Sequence, residues 1–412
     1  MADVRPYEIN VPEEKIARLK QKLAMVDLPP EVEGVTPWDR GVPLADAKRI
    51  LEHWTTEYDW RRTEAKLNND MPQFETDITV DGFGTYAVHF VHQHSKVKSA
   101  IPLLFLHGWP GNFTEAQKIL PLLMSGNGKD TPAFHVVSPS LIDYGFSDRS
   151  AKKGFNVTAH AQTYHKLMQK LGYEKYVVQG GDLGSFIARV MVQHYQSSIG
   201  GHLLNLATPR KPTAEQDPEL YEKVQNTELS EEEKEGLKQH PHFASEGAGY
   251  HKLQSTKPQT IGYSMADSPM GLMTWILEKL HDWTDSYPWT EEEVLQWVCI
   301  YYFSKPGPNA TQHIYYESTH TPHEKPGTNY SPVPLGISRF PKELTLLPKL
   351  WHETLGPLVF WSVHGNGGHF AAWEKPKELA DYLRKMFGKE GPCAACCGKG
   401  RSGYEDEAVS KL

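Results

Sequence analysis

The spacing of apolar positions changes along the 412-residue chain, and each change marks an element. After Pro12, a residue suited to a helix start, Ile16, Leu19 and Leu23 recur on one face at helical spacing. A second helix is predicted from about Leu44, carrying Ile50, Leu51 and Trp54. From Glu75 to Gln93 the pattern alternates around Asp81-Gly82-Phe83-Gly84, which predicts a β-hairpin. Short strands of the buried type follow, separated by helical segments: Ile101–His107, Phe134–Ser140, Tyr176–Asp182, His202–Pro209 and Leu358–His364. Strands alternating with helices imply βαβ units around a mainly parallel sheet, an α/β fold.

Between about Pro212 and Phe340 the strand pattern stops and the chain reads as helical and aromatic. Ser230 and Thr290 are each followed by three glutamates, so each predicts a capping box that starts a helix. A helical block inserted before the last strand is the natural place for a lid. The expected layout is a helical N-terminal extension over 1–80, a core in two parts over 81–211 and 340–388, a lid over 212–339, and a disordered tail over 389–412. No internal repeat is apparent.

Composition narrows the picture. With 39% apolar and 23% charged residues, the chain supports a sizeable core under a solvated surface. A net charge of −8 argues against nucleic acid or an anionic membrane as the main partner. The first residues, MADVRPYEINVPEE, have neither a basic nor an apolar signal region, and no run approaches membrane-spanning length. Of four cysteines, Cys299 stands alone and Cys393, Cys396 and Cys397 crowd the tail, which suits a reducing compartment rather than a disulfide framework. Ser410-Lys411-Leu412 matches the peroxisomal address, so the expected location is the peroxisome, with an import receptor as partner and the cytosol as the alternative.

The chemistry gathers around YVVQGGDLGSFIAR, residues 176–189. Small residues flank Asp182 between a strand and a helix, the form of a nucleophile elbow with a carboxylate in place of serine. Simple helix capping by Asp182 would leave the glycines on both sides unexplained. His107-Gly108-Trp109-Pro110 ends the first central strand, where a backbone N–H can help build an oxyanion hole with that of Leu183. Glu343, in Phe340-Pro341-Lys342-Glu343, and His369, after the last strand, complete the order nucleophile, acid, base.

These segments carry a resemblance. The chain resembles the α/β-hydrolase epoxide hydrolases, in the branch of the microsomal enzymes and their soluble fungal relatives, from about Tyr7 to Phe387. PYEINVPEEKIARLKQKL and YDWRRTEAKLN are similar to that branch's N-terminal domain. HGWPG, GGDLGS, STKPQTIGYSMADSPMGL, FPKELTL and GGHFAAWEKP are similar to its signature segments. The resemblance implies a soluble hydrolase, since this chain lacks the anchor of the membrane-bound members, and the peroxisomal address suggests an epoxide from fatty-acid or secondary metabolism, or detoxification. It implies that Asp182 attacks an epoxide carbon to give an ester, that His369 activates water against that ester with Glu343 as its partner, and that a vicinal diol leaves. It also implies that the backbone donor paired with Leu183 in the oxyanion hole is Trp109. It further implies two lid tyrosines as proton donors. GAGYHKLQSTKP gives Tyr250, and HIYYES gives Tyr315, with Tyr316 beside it as the alternative.

The expected partners are a small epoxide and water, with a homodimer left open. No cofactor is expected, because Gly365-Asn366-Gly367 lacks a dinucleotide-binding context. No metal is expected either: the histidines of HPHF (240–243) and THTPHE (319–324) lack suitable companions and are expected on solvated loops. Two rival readings stand against this one. A haloalkane dehalogenase also uses an aspartate nucleophile but places Trp where Leu183 stands here, and a catalytically silent scaffold would show a broken triad.

Overall fold

The structure is a computed structural model that describes residues 3–321 and 327–405. Its described strands are β1 (Arg5–Pro6), β2 (Gln73–Val80), β3 (Gly84–Gln93), β4 (Ile101–Leu106), β5 (Phe134–Pro139), β6 (Tyr176–Gly180), β7 (Ile199–Leu204), β8 (Leu335–Arg339) and β9 (Leu358–Val363). They form one sheet in the order β1-β2-β3-β5-β4-β6-β7-β8-β9. Pairing is antiparallel from β1 to β5 and parallel from β5 to β9. β4, β5 and β6 are buried at every residue, which is why they read as mostly apolar runs rather than alternations.

The predicted hairpin is β2–β3, closed at Val80↔Gly84. β2 is thus part of the main sheet, and the helices of the extension end at Asp70 rather than near residue 80. Helix Glu13–Ala24 buries Ile16, Leu19 and Leu23, and helix Leu44–Thr56 buries Ile50 and Trp54 while Leu51 stays half-buried. With helix Trp60–Asp70 they pack on the lid, tied by Lys22–Asp267 (2.7 Å) and Arg62–Glu292 (2.7 Å). Both capping boxes form, Ser230 with Glu233 and Thr290 with Glu293.

Three expectations need correction. The sheet resumes at Leu335, so the lid ends before 339. The five residues LGISR include glycine, serine and arginine and give no apolar run, yet all five are buried, and Arg339 is satisfied by the Glu232 carbonyl at 2.8 Å. The chain also does not lose order at Gly388. Residues 389–405 fold back on the sheet: Gly403 N–H donates to the Ser99 carbonyl (2.7 Å), Ala133 N–H donates to the Gly403 carbonyl (2.9 Å), and Cys393 and Cys397 are buried. The close-packed Cys393 and Cys396 side chains against Gly201 and Gly200 do the anchoring that composition alone did not reveal. Finally, His240 and His242 are exposed but close a helix, Glu231–His242, rather than a loop, and His320 ends helix His313–His320. The remainder of that second histidine group, and Ser410-Lys411-Leu412, lie outside the described residues. Among the described residues no cluster is suited to hold a metal ion, and no helix is long and apolar enough to cross a membrane.

Candidate active site

β6 runs into the helix Asp182–His194 through a turn so tight that its neighbours must be glycine. A Cβ on Gly180 would lie 2.5 Å from the Gly184 carbonyl oxygen, and one on Gly184 would lie 2.2 Å from the Leu106 carbonyl oxygen. Asp182 itself takes a left-handed φ of 47°, a conformation that non-glycine residues adopt seldom and that is often found at functional turns. The turn is fixed from below, because Ser185 Oγ donates to the Gly180 carbonyl at 2.7 Å and Gly181 N–H donates to that of Leu106 at 3.3 Å.

Elements distant in sequence converge on this carboxylate. Trp109, just past β4, donates its N–H to Asp182 Oδ1 at 2.8 Å, across Gly108, whose missing Cβ would collide with Asp182. Leu183 follows the nucleophile at the start of the helix, where the first-turn amides have no partner within the helix. His369 Nε2 lies 3.3 Å from Asp182 Oδ2, and His369 Nδ1 meets Glu343 Oε1 at 2.5 Å. His369 is held by its own backbone, which donates to the Trp283 carbonyl of the lid at 2.8 Å.

Burial alone would lower the His369 pKa. The Glu343 charge and the Asp182 carboxylate beside the ring outweigh it and hold the pKa up at about 10. While both carboxylates are charged, the imidazole therefore keeps its proton.

Above the carboxylate lies a cavity of about 290 Å³, with Asp182 and Leu183 in its floor. Apolar side chains, including Phe186, Leu206, Phe243 and Ile314, make most of its wall. Tyr250, on helix Gly249–Thr256, and Tyr315, on helix His313–His320, both face it, their rings 6.2 Å apart. Burial, then the Asp182 charge, pushes both phenols well above their usual pKa, so they carry their protons. Among the described residues the buried Tyr315 hydroxyl finds no hydrogen-bond partner. Tyr316 does not line this cavity and stacks on His320 at 4.0 Å. Of the two candidates, the structure places Tyr315, and not Tyr316, against the cavity.

Two supporting residues escaped the sequence reading. Asn205, just past β7, donates to Glu343 Oε2 at 3.2 Å and to the His369 carbonyl at 3.3 Å, and accepts from Gln179 at 3.0 Å. A lone amide inside the otherwise apolar stretch LLNL was the only signal of it. Glu115 is enclosed beside the site, its carboxyl occupying the space where a Gly111 side chain would stand. Burial pushes its pKa up to about 8, the His369 charge partly offsetting this, so it is largely protonated at neutral pH.

With this geometry in hand, the chain can be set beside known proteins. The family described as epoxide hydrolase N terminus matches residues 4–116, and the alpha/beta hydrolase fold family matches 101–288. A Stigmatella aurantiaca relative is 38% identical over 398 residues, spanning 93% of this chain and 84% of that one. Epoxide hydrolase 1 of Sus scrofa is 33% identical, spanning 93% of this chain and 88% of its own. The chain belongs to the epoxide hydrolase family. The structure of Aspergillus niger epoxide hydrolase superposes on this epoxide hydrolase with a TM-score of 0.81 at 35% identity, covering 93% of this chain and 95% of that one. The juvenile hormone epoxide hydrolase of Bombyx mori gives a TM-score of 0.81 at 28% identity, covering 92% and 93%.

Proposed function

We propose that this epoxide hydrolase opens its substrate through a covalent ester on Asp182. One observation carries the reading: a carboxylate on a strained elbow has one oxygen held by the Trp109 N–H at 2.8 Å and the other facing His369 at 3.3 Å, below two protonated phenols. A carboxylate so placed attacks an epoxide carbon. The carbon–oxygen bond to the ring oxygen breaks, and that oxygen takes a phenol proton from Tyr250 or Tyr315. A carboxylate nucleophile suits this chemistry because the ester it forms can be cleaved by water, whereas the ether from a serine could not.

Ester formation removes one of the two negative charges that keep His369 protonated. The imidazolium then gives its proton back to the phenolate and becomes the base for the second step. Water attacks the ester carbonyl as His369 takes its proton, Glu343 stabilises the new imidazolium, and the oxyanion sits against the N–H groups of Trp109 and Leu183. Collapse releases a vicinal diol and restores Asp182.

Leu183, an aliphatic side chain where a dehalogenase would hold halide, favours epoxides over alkyl halides as substrates. The test is an assay of purified protein against aryl, terminal alkyl and fatty-acid epoxides alongside alkyl halides. Diol formation is expected. Halide release with no diol from any epoxide would overturn the proposal.

A further inference from the structure

Among the buried charges that the proposed mechanism does not use, one lies against a proton donor. Lys279, on helix Pro269–Asp282, is 4% exposed. Its ammonium lies 5.2 Å from the centroid of the Tyr250 ring and 5.8 Å from each of the Trp275 and Trp283 rings. Its ion-pair partner is the neighbouring Glu278, at 2.5 Å, whose side chain is partly open to solvent. A lysine usually carries its charge out to water along its apolar stem. Here the charge instead ends among aromatic faces, where a methionine would fill the space without the cost of desolvating an ammonium.

Of these three rings, Tyr250 is the one that lines the cavity above Asp182. Its ring stacks on Trp109 at 4.9 Å, and the backbone N–H of Trp109 is the one that holds Asp182. We propose that Lys279 is a positioning residue for Tyr250, its ammonium stabilising the negative charge that the phenol takes on as it protonates the opening epoxide oxygen. The proposal rests on the epoxide-opening reading above. As the Asp182–carbon bond forms and the carbon–oxygen bond breaks, the phenol proton moves to the ring oxygen and its electron pair stays on Tyr250. That new anion arises near Glu343, which disfavours it, and a cation over the ring face opposes this alongside the His369 imidazolium. Among the described residues no Lys or Arg stands over the Tyr315 ring. The two phenols are therefore unequal: Tyr250 is the one equipped to carry charge, and Tyr315 orients the oxygen.

The experiment is single-turnover stopped-flow fluorescence with styrene oxide on the full chain, which separates ring opening from ester hydrolysis. Lys279→Met keeps the stem and removes the charge. It is expected to slow ring opening by roughly ten- to a hundredfold while ester hydrolysis stays within about twofold. Lys279→Arg should restore most of the rate. In a Tyr250→Phe background, Lys279→Met should add almost nothing, because the group it acts through is gone. Ring opening in Lys279→Met at the wild-type rate would overturn the proposal. So would the same loss in the Tyr250→Phe background, or an equal slowing of both steps, either of which would mark Lys279 as packing. Absence of any ring opening in the wild-type protein would instead strike the epoxide-opening reading beneath it.

Discussion

Replacing Gly184 by alanine adds one methyl group at the tightest point of the elbow. That carbon would stand 2.2 Å from the Leu106 carbonyl oxygen, 2.6 Å from its carbon and 2.8 Å from the His107 carbonyl oxygen. Ordinary contact needs about 1 Å more, and every atom in the way is backbone at the end of a central strand, so no side chain can rotate aside. The start of the helix carrying Asp182 must move instead. Overpacking of this kind costs about 1–3 kcal/mol, which in a chain of this size lowers the thermal midpoint by a few degrees. The catalytic effect should be larger. A shift of about 1 Å breaks the alignment of Asp182 with the Trp109 N–H and His369, and misplacement on that scale costs on the order of a hundredfold in rate. Gly249→Ala serves as the control, because nothing lies within 4 Å of its added carbon and the residue begins a helix. Circular-dichroism melts and diol formation from styrene oxide should show Gly184→Ala folded but crippled and Gly249→Ala close to wild type. A Gly184→Ala protein with full activity would mean that close approach is not why glycine stands there.

Other expectations follow from the same geometry. Tyr250→Phe and Tyr315→Phe should each leave partial ring opening and together abolish it, whereas Tyr316→Phe should be silent, as steady-state rates will show. Glu115 has a folded pKa of about 8 against an ordinary 4.5, so its ionisation favours the unfolded chain increasingly as pH rises from 4.5 through 8. The melting advantage of Glu115→Gln over wild type should therefore grow between pH 5 and pH 9, by up to about 4 kcal/mol, and a constant difference would refute the assignment. A fluorescent protein ending in residues 388–412 is expected in peroxisomes, and a cytosolic signal that does not change when Ser410-Lys411-Leu412 is removed would end that expectation.

The parts of the fold legible in the sequence were those with one dominant signal. β4, β5 and β6 are buried on both faces and announce themselves as apolar runs, and the capping boxes at Ser230 and Thr290 are local chemistry. β8 was hidden because burial of Ser338 and Arg339 is tolerated only through partners from elsewhere, such as the Glu232 carbonyl. Residues 389–405 were hidden for a similar reason: glycine and cysteine read as disorder until Gly200 and Gly201 are seen to receive them. In the site, Asp182, His369 and Trp109 lie at strand ends with motif neighbours and could be named in advance. Asn205 and Glu115 act through contacts with no local pattern, as does Lys279, and only the assembled fold brings them to the centre.

The covalent ester is the central claim, and a mass measurement tests it most directly. In His369→Gln the carboxylate of Asp182 can still attack, but no base activates water, so the ester should persist. Incubation with an epoxide followed by digestion should add one substrate mass to the peptide containing Asp182. Asp182→Ala should show neither adduct nor diol, and Glu343→Gln should fall between wild type and the His369 variant. An adduct on any other residue, or turnover by Asp182→Ala, would contradict the account.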